Sequence, residues 1–159
     1  FMMNGGITLG TLDGANVEML EEVGVENIFI FGLTAEEITE MQRSASYRPS
    51  EYYHHYPEIR RVIDAFRDDV FCRSEPGLFS WLYHRIMNEE DAYFHLPDFL
   101  SYLQVQEKIE EEYLNPPSWT KKPILTVARS GRFSSDRAIA EYAAHVWRVR
   151  PPVVPGKAP

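Results

Sequence analysis

The sequence predicts an α/β protein, a strand–helix–strand unit over residues 1–32 followed by a mostly helical remainder. Three observations carry this. A short β-branched run, Ile7 to Leu12, lies between Gly5-Gly6 and Asp13-Gly14. A continuous apolar run, Ile28-Phe29-Ile30-Phe31, stops at Gly32 and suits a strand covered on both faces, as in a parallel sheet. After Gly32 the apolar residues recur at helical rather than strand spacing.

Each element has its own signals. The first strand ends in a tight turn at Asp13-Gly14, and Ala15 to Val23 reads as a helix closed by Gly24 in a left-handed conformation. Thr34-Ala35-Glu36-Glu37 is a capping box that opens a helix reaching about Ala45. Pro57 suits a helix start, where its missing N–H costs nothing, and Ile59, Val62, Ile63 and Phe66 then form one apolar face. Glu75-Pro76-Gly77 introduces a helix carrying Leu78, Leu82 and Ile86. Asp98 is the expected cap of the next, whose stripe is Phe99, Tyr102, Leu103, Ile109 and Tyr113, ended by Asn115-Pro116-Pro117. A further helix spans about Trp119 to Ser130 and stops at Gly131. Pro123 would cost about 3 kcal/mol in its interior, so a start or a kink is expected there. The last helix begins at Ser134 or Ser135, with Ile139, Tyr142, Ala143 and Val146 expected on its inner face. Arg150-Pro151-Pro152 closes it, and residues 150–159 read as a Pro-rich disordered tail. Residues 1–149 therefore read as one incomplete domain.

Composition narrows the partners. With 159 residues, 44% of them hydrophobic, the chain can bury a core. Its formal net charge of -8 and scattered basic residues argue against nucleic acid and against an anionic membrane surface. Cys72 is the only cysteine, which fits a reducing, cytoplasmic setting, and no apolar run reaches membrane-spanning length. Only two strands are evident, and two strands are marginal as an independent sheet. The partners expected to cover Ile28 to Phe31 therefore lie before Phe1.

Three stretches carry a family resemblance. Phe1-Met2-Met3-Asn4-Gly5-Gly6 runs on through Leu9-Gly10-Thr11-Leu12-Asp13-Gly14-Ala15-Asn16-Val17-Glu18-Met19 to Ile28-Phe29-Ile30-Phe31-Gly32. Glu51-Tyr52-Tyr53 is followed by Pro57-Glu58-Ile59-Arg60. Ser130-Gly131-Arg132-Phe133-Ser134-Ser135-Asp136-Arg137 continues to Trp147. In this order they resemble the α-glucan (glycogen, starch or maltodextrin) phosphorylases over nearly the whole chain. The resemblance implies the C-terminal part of a GT-B (Rossmann-like) domain. It also implies an enzyme that cuts terminal α-1,4-glucosyl units of a glucan with phosphate, releasing glucose 1-phosphate with retained configuration. Pyridoxal 5'-phosphate would be the cofactor of the parent enzyme, held by a lysine one position before Phe1, so this section would bind none covalently and would be inactive alone. Its partners would be the missing N-terminal part of the same enzyme, in a homodimeric parent. Pro97 and Pro123 depart from the family, which usually carries residues such as alanine there.

No catalytic residue is expected within the chain. Asn4, Asp13, Asn16 and Glu18 are the polar candidates for lining the cleft, with helix capping the competing account for Asp13 and Asn16 and ordinary solvation for Glu18. No metal site is expected, because His54-His55 diverge by about 100° on a helix and His84, His95 and His145 lack ligand spacing. Cys72 reads as a bland thiol, Glu89-Glu90-Asp91 as a solvated charge run, and Trp81, Trp119 and Trp147 as core. Arg129, Arg132 and Arg137 could hold an anion, but a serine capping the final helix accounts better for that segment. Two other readings stay open: a non-enzymatic, phosphorylase-derived scaffold module, and the C-terminal part of another GT-B glycosyltransferase.

Overall fold

The two glycine-bounded apolar runs form short parallel strands, β1 (Leu9–Thr11) and β2 (Phe29–Phe31), joined through helix α1 (Ala15–Val23). The structure, a computed structural model, describes residues 1–88 and 91–149. Leu9 pairs with Phe29, Gly10 with Ile30 and Thr11 with Phe31, and among the described residues these strands make up the whole sheet. Gly24 leaves α1 at φ 82, but its ψ of 151 puts it in the extended region open to glycine rather than in the left-handed helical one. Side chains complete the helix end: Asn27 Nδ2 and an Arg129 guanidinium N–H both donate to the Val23 carbonyl, at 2.7 and 2.6 Å.

The cover of β2 corrects the sequence reading, which finds none downstream. Phe29 is buried against Trp119, ring centroids 6.4 Å apart, and Phe31 meets Tyr102 edge-on at 5.2 Å. Residues two apart on a strand share a face, so one face of β2 rests on two later helices. These are α6 (His95–Tyr113) and α7 (Pro116–Arg129).

The helices between β2 and α6 build the main core. Helix α2 (Ala35–Ser44) opens with the predicted capping box: Glu37 N–H donates to Thr34 Oγ1 at 3.2 Å and Thr34 N–H donates to Glu37 Oε2 at 2.8 Å. Helix α3 (Pro49–His55) has no counterpart in the sequence reading; it is short, and its signal is Pro49 in the first turn. Helix α4 (Pro57–Arg67) starts at Pro57 as predicted and buries Ile59 and Ile63. Helix α5 (Ser80–Met87) begins after Leu78, which lies exposed ahead of it. Ile59, Ile63 and Leu96 are the centre of this core, with Tyr52, Tyr53, Ile86 and Phe99 packed around them.

Three predicted boundaries move. Helix α6 starts at His95, three residues before the expected cap, because the Asp91 carboxylate already accepts the His95 N–H at 3.0 Å. Helix α7 starts at Pro116 and runs through Pro123 rather than starting there. The proline ring has a specific seat. A Cβ on Gly5, beside the 3-10 turn Met2–Asn4, would come within 3.2 Å of Pro123 Cβ. At the end of the chain α8 (Ser135–Glu141) widens into a π-helical turn, Tyr142–Val146, in which Trp147 N–H donates to the Tyr142 carbonyl at 2.9 Å. Ser134 stands at the cap position of α8 without a side-chain cap bond. Of the expected inner face only Ala143 is buried, while Ile139 and Val146 are 56% and 61% exposed. Trp81 and Trp147 are also more exposed than buried, against the core role expected for them. Residues 150–159, expected as a tail, lie outside the described residues.

Candidate functional site

Parallel strands end on the same side, and open α/β sheets hold their ligands outside those carboxyl ends. Here the turn Leu12-Asp13-Gly14 follows β1 and the turn Gly32-Leu33-Thr34 follows β2. Between them lies a crevice of about 500 Å³ whose walls include Thr11, Asp13, Leu33, Thr39, Tyr93 and Asp98.

Each wall is held by a close packing requirement. After β1, Asn16 Nδ2 donates to the Thr11 carbonyl at 2.8 Å and the Thr11 hydroxyl donates to Asp13 Oδ1 at 3.2 Å. The Asn16 amide fits there because residue 10 is glycine: a Cβ at Gly10 would stand 2.5 Å from Asn16 Nδ2. After β2, Gly32 adopts φ +85, and its N–H donates to Ser101 Oγ at 3.1 Å. The next N–H, of Leu33, donates to Asp98 Oδ1 at 2.8 Å. The β2 turn is thereby pinned to the first turns of α6.

Burial raises the Asp98 carboxyl above the ordinary carboxylate value; the Leu33 N–H and His95 pull it down, and the charges of Asp13 and Asp91 push it up again. Asp13 and Asp98 thus feel each other across the crevice. Among the described residues the walls offer carboxyl and hydroxyl groups and no Lys, Arg or His side chain.

Of the four sequence candidates, the structure brings Asp13 and Asn16 together at the β1 turn. Asn4 is exposed on the 3-10 turn, and Glu18 is exposed on α1 near Arg132, so neither is among the crevice walls. Asp98, Tyr93 and Gly32 were not legible as site residues, since Asp98 carries only a helix-cap signal and its partner Leu33 is 65 positions away.

Asp91 overturns its assignment to a solvated charge run. Only 4% exposed, it accepts from the Tyr47 hydroxyl at 2.8 Å and from both the backbone and Nδ1 of His95. Glu89 and Glu90 lie outside the described residues. The three arginines do not converge on an anion: Arg129 holds the Val23 carbonyl, Arg132 pairs with Glu22 and Arg137 with Glu141. Cys72 is half-buried beside Ser74. Among the described residues no group of three His, Cys, Asp or Glu side chains could hold a metal, and no helix is long and apolar enough to cross a membrane.

The family model for carbohydrate phosphorylase matches residues 1–149. The chain belongs to the carbohydrate phosphorylase family. It is 44% identical over 151 residues to the brain form of glycogen phosphorylase from Homo sapiens and from Pongo abelii, and 42% identical over 151 residues to the muscle form from Mus musculus. Each match covers 95% of this chain and 18% of the relative, so the chain spans under a fifth of the length of these phosphorylases.

For a phosphorylase the crevice chemistry is informative about pyridoxal phosphate. That group needs an amine to form its imine and donors or cations for its phosphate. Among the described residues the crevice supplies no amine and no cation, and its two carboxyl groups repel a phosphate. Lys122, the buried lysine, is committed elsewhere. Its Nζ pairs with Glu112 at 2.8 Å, donates to the Glu26 carbonyl and lies 5.1 Å from the Phe29 ring centroid. The described walls of the crevice do not fit pyridoxal phosphate.

Proposed function

We propose that the chain serves as the C-terminal section of an α-glucan phosphorylase, contributing outer strands and helices to a GT-B (Rossmann-like) domain and bracing its cleft. The assembled enzyme would release glucose 1-phosphate from terminal α-1,4-glucosyl units of glycogen by phosphorolysis, with retention. One observation carries the reading: among the described residues β1 pairs with β2 alone, a parallel sheet of only two strands. Parallel sheets are stable when flanked by further strands and covered on both faces, which the rest of a larger domain supplies. The exposed apolar residues Ile124, Ile139 and Val146 offer that remainder a surface.

In this reading the N-terminal part of the same enzyme is the partner, and it brings the cofactor lysine and the basic groups that the crevice lacks. The section alone is inactive. Asp13 and Asn16 line the cleft in this reading, supported by their place at the carboxyl end of β1, whereas the positions of Asn4 and Glu18 away from the crevice walls do not support that role for them. The assembled enzyme is cytoplasmic and homodimeric, as the family resemblance implies.

A chimera tests the proposal. The matching segment of human brain glycogen phosphorylase is replaced by this chain, and glucose 1-phosphate release from glycogen is measured. Phosphorolysis within about tenfold of the parent supports the reading; a chimera that folds and binds its cofactor yet releases no product refutes it. The isolated chain, mixed with pyridoxal phosphate and reduced with borohydride, should yield no stoichiometric adduct by mass spectrometry.

A further inference from the structure

The turn that follows β2 presents three consecutive backbone N–H groups, and a side chain takes each of them. Gly32 N–H donates to Ser101 Oγ at 3.1 Å, Leu33 N–H to Asp98 Oδ1 at 2.8 Å and Thr34 N–H to Glu37 Oε2 at 2.8 Å. Consecutive N–H groups at the carboxyl end of a parallel strand are what α/β folds use to hold phosphate. In this chain a hydroxyl and two carboxyl groups of its own stand where phosphate oxygens would accept.

The fit is close. A Cβ at Gly32 would stand 2.9 Å from Asp98 Cγ and Oδ1 and 3.0 Å from Oδ2, so the whole carboxyl group lies against the Gly32 backbone and leaves no gap for an anion. Asp98 and Ser101 are three apart on α6 and share a face, which lets them meet two successive N–H groups. Hydrogen bonds from the Thr34 backbone and hydroxyl hold the Glu37 carboxyl below its ordinary value, so this neighbour stays charged. The turn, Asp98 and Ser101 are half-buried rather than sealed from solvent.

We propose that Asp98 is a specificity-determining residue, which keeps inorganic phosphate out of the strand-end crevice by occupying the donors of the β2 turn. On the reading of the chain as part of a phosphorylase, this leaves the crevice to the uncharged substrate and denies phosphate an unproductive seat. The occupied turn itself is a property of this chain and is tested on it.

The whole chain, ¹⁵N-labelled, is titrated with inorganic phosphate at an ionic strength held constant with sodium chloride, and the Gly32, Leu33 and Thr34 amide signals are followed. They should stay unmoved in the unsubstituted chain. Asp98→Ala frees Leu33 N–H and should let phosphate move the Gly32 and Leu33 signals. Its binding should be tighter by about tenfold or more, the ratio expected of one freed hydrogen bond to a charged group. Asp98→Asn, whose amide carbonyl still accepts from Leu33, should behave as the unsubstituted chain. The proposal falls if phosphate already moves these amides in the unsubstituted chain, if it leaves them unmoved in Asp98→Ala, or if Asp98→Asn binds it as tightly as Asp98→Ala. Asp98→Ser, one bond too short to reach Leu33 in the same way, replaces the alanine variant if that does not fold. A phosphorolytic chimera together with a failed titration would sink this inference and leave the proposed function standing.

Discussion

Replacing Gly32 by alanine attacks the joint between the sheet and α6 in two separable ways. The backbone there has φ +85, where an L side chain costs about 1–2 kcal/mol. The added Cβ would also stand 2.9 Å from both Cγ and Oδ1 of Asp98, closer than real Cβ contacts allow. The carboxylate must then leave, giving up the 2.8 Å bond from Leu33 N–H, a hydrogen bond to a charged group worth about 1.5–3 kcal/mol. The expected total is about 2.5–5 kcal/mol, read as the shift in a urea unfolding midpoint at constant slope. A double-mutant cycle with Asp98→Ala separates the parts. Without the carboxylate, Gly32→Ala should cost only the backbone strain, leaving a coupling of about 1.5–3 kcal/mol. A single-substitution cost below about 1 kcal/mol, or strictly additive effects, would refute the argument that Gly32 exists to admit Asp98.

Asp91→Ala should destabilise the chain by about 2–4 kcal/mol, since it strips the Tyr47 hydroxyl and the His95 N–H of their acceptor. It should also lower the alkaline titration of Tyr47, which burial and the neighbouring carboxylate now hold well above the ordinary tyrosine value; absorbance against pH reads this. Pro123→Ala should stabilise the chain by about 1–2 kcal/mol in urea unfolding. It restores a helical bond to the Trp119 carbonyl, against the loss of ring contact beside Gly5. Asp98 has a raised folded-state carboxyl value, so it takes up its proton earlier in the folded chain than in the unfolded one, and its contribution to stability grows as pH falls toward its ordinary 3.8. Relative to Asp98→Asn, which keeps an acceptor for Leu33 N–H, the unsubstituted chain should therefore gain stability between pH 7 and pH 4; an unchanged difference would contradict the shift.

Local signals in this chain are strongest where one side chain settles its own turn. The capping box at Thr34 and Glu37, the proline start at Pro57 and the glycine after Val23 are all legible because their hydrogen-bond partners lie within four residues. The strand–helix–strand order and its parallel sense follow from two apolar runs and a glycine-bounded helix, and the family follows from residues that match it from Phe1 to Trp147. Helix α3 was lost because a single proline is a weak signal in a segment of seven residues.

The crevice was decided only by tertiary contacts. Asp98 looks like a helix cap in sequence and becomes a wall and a clamp because Leu33, 65 residues away, presents it an N–H. Asp91 looks solvated among acidic neighbours and is buried because Tyr47, 44 residues away, donates to it. Pro123 looks like a helix start and is carried inside one, seated against Gly5. Sequence by itself determined the class of fold, the family and which turns are tight, since those depend on interactions between near neighbours. The tertiary structure decided which polar groups meet at the strand ends, because a carboxylate's burial depends on donors that chain proximity does not reveal.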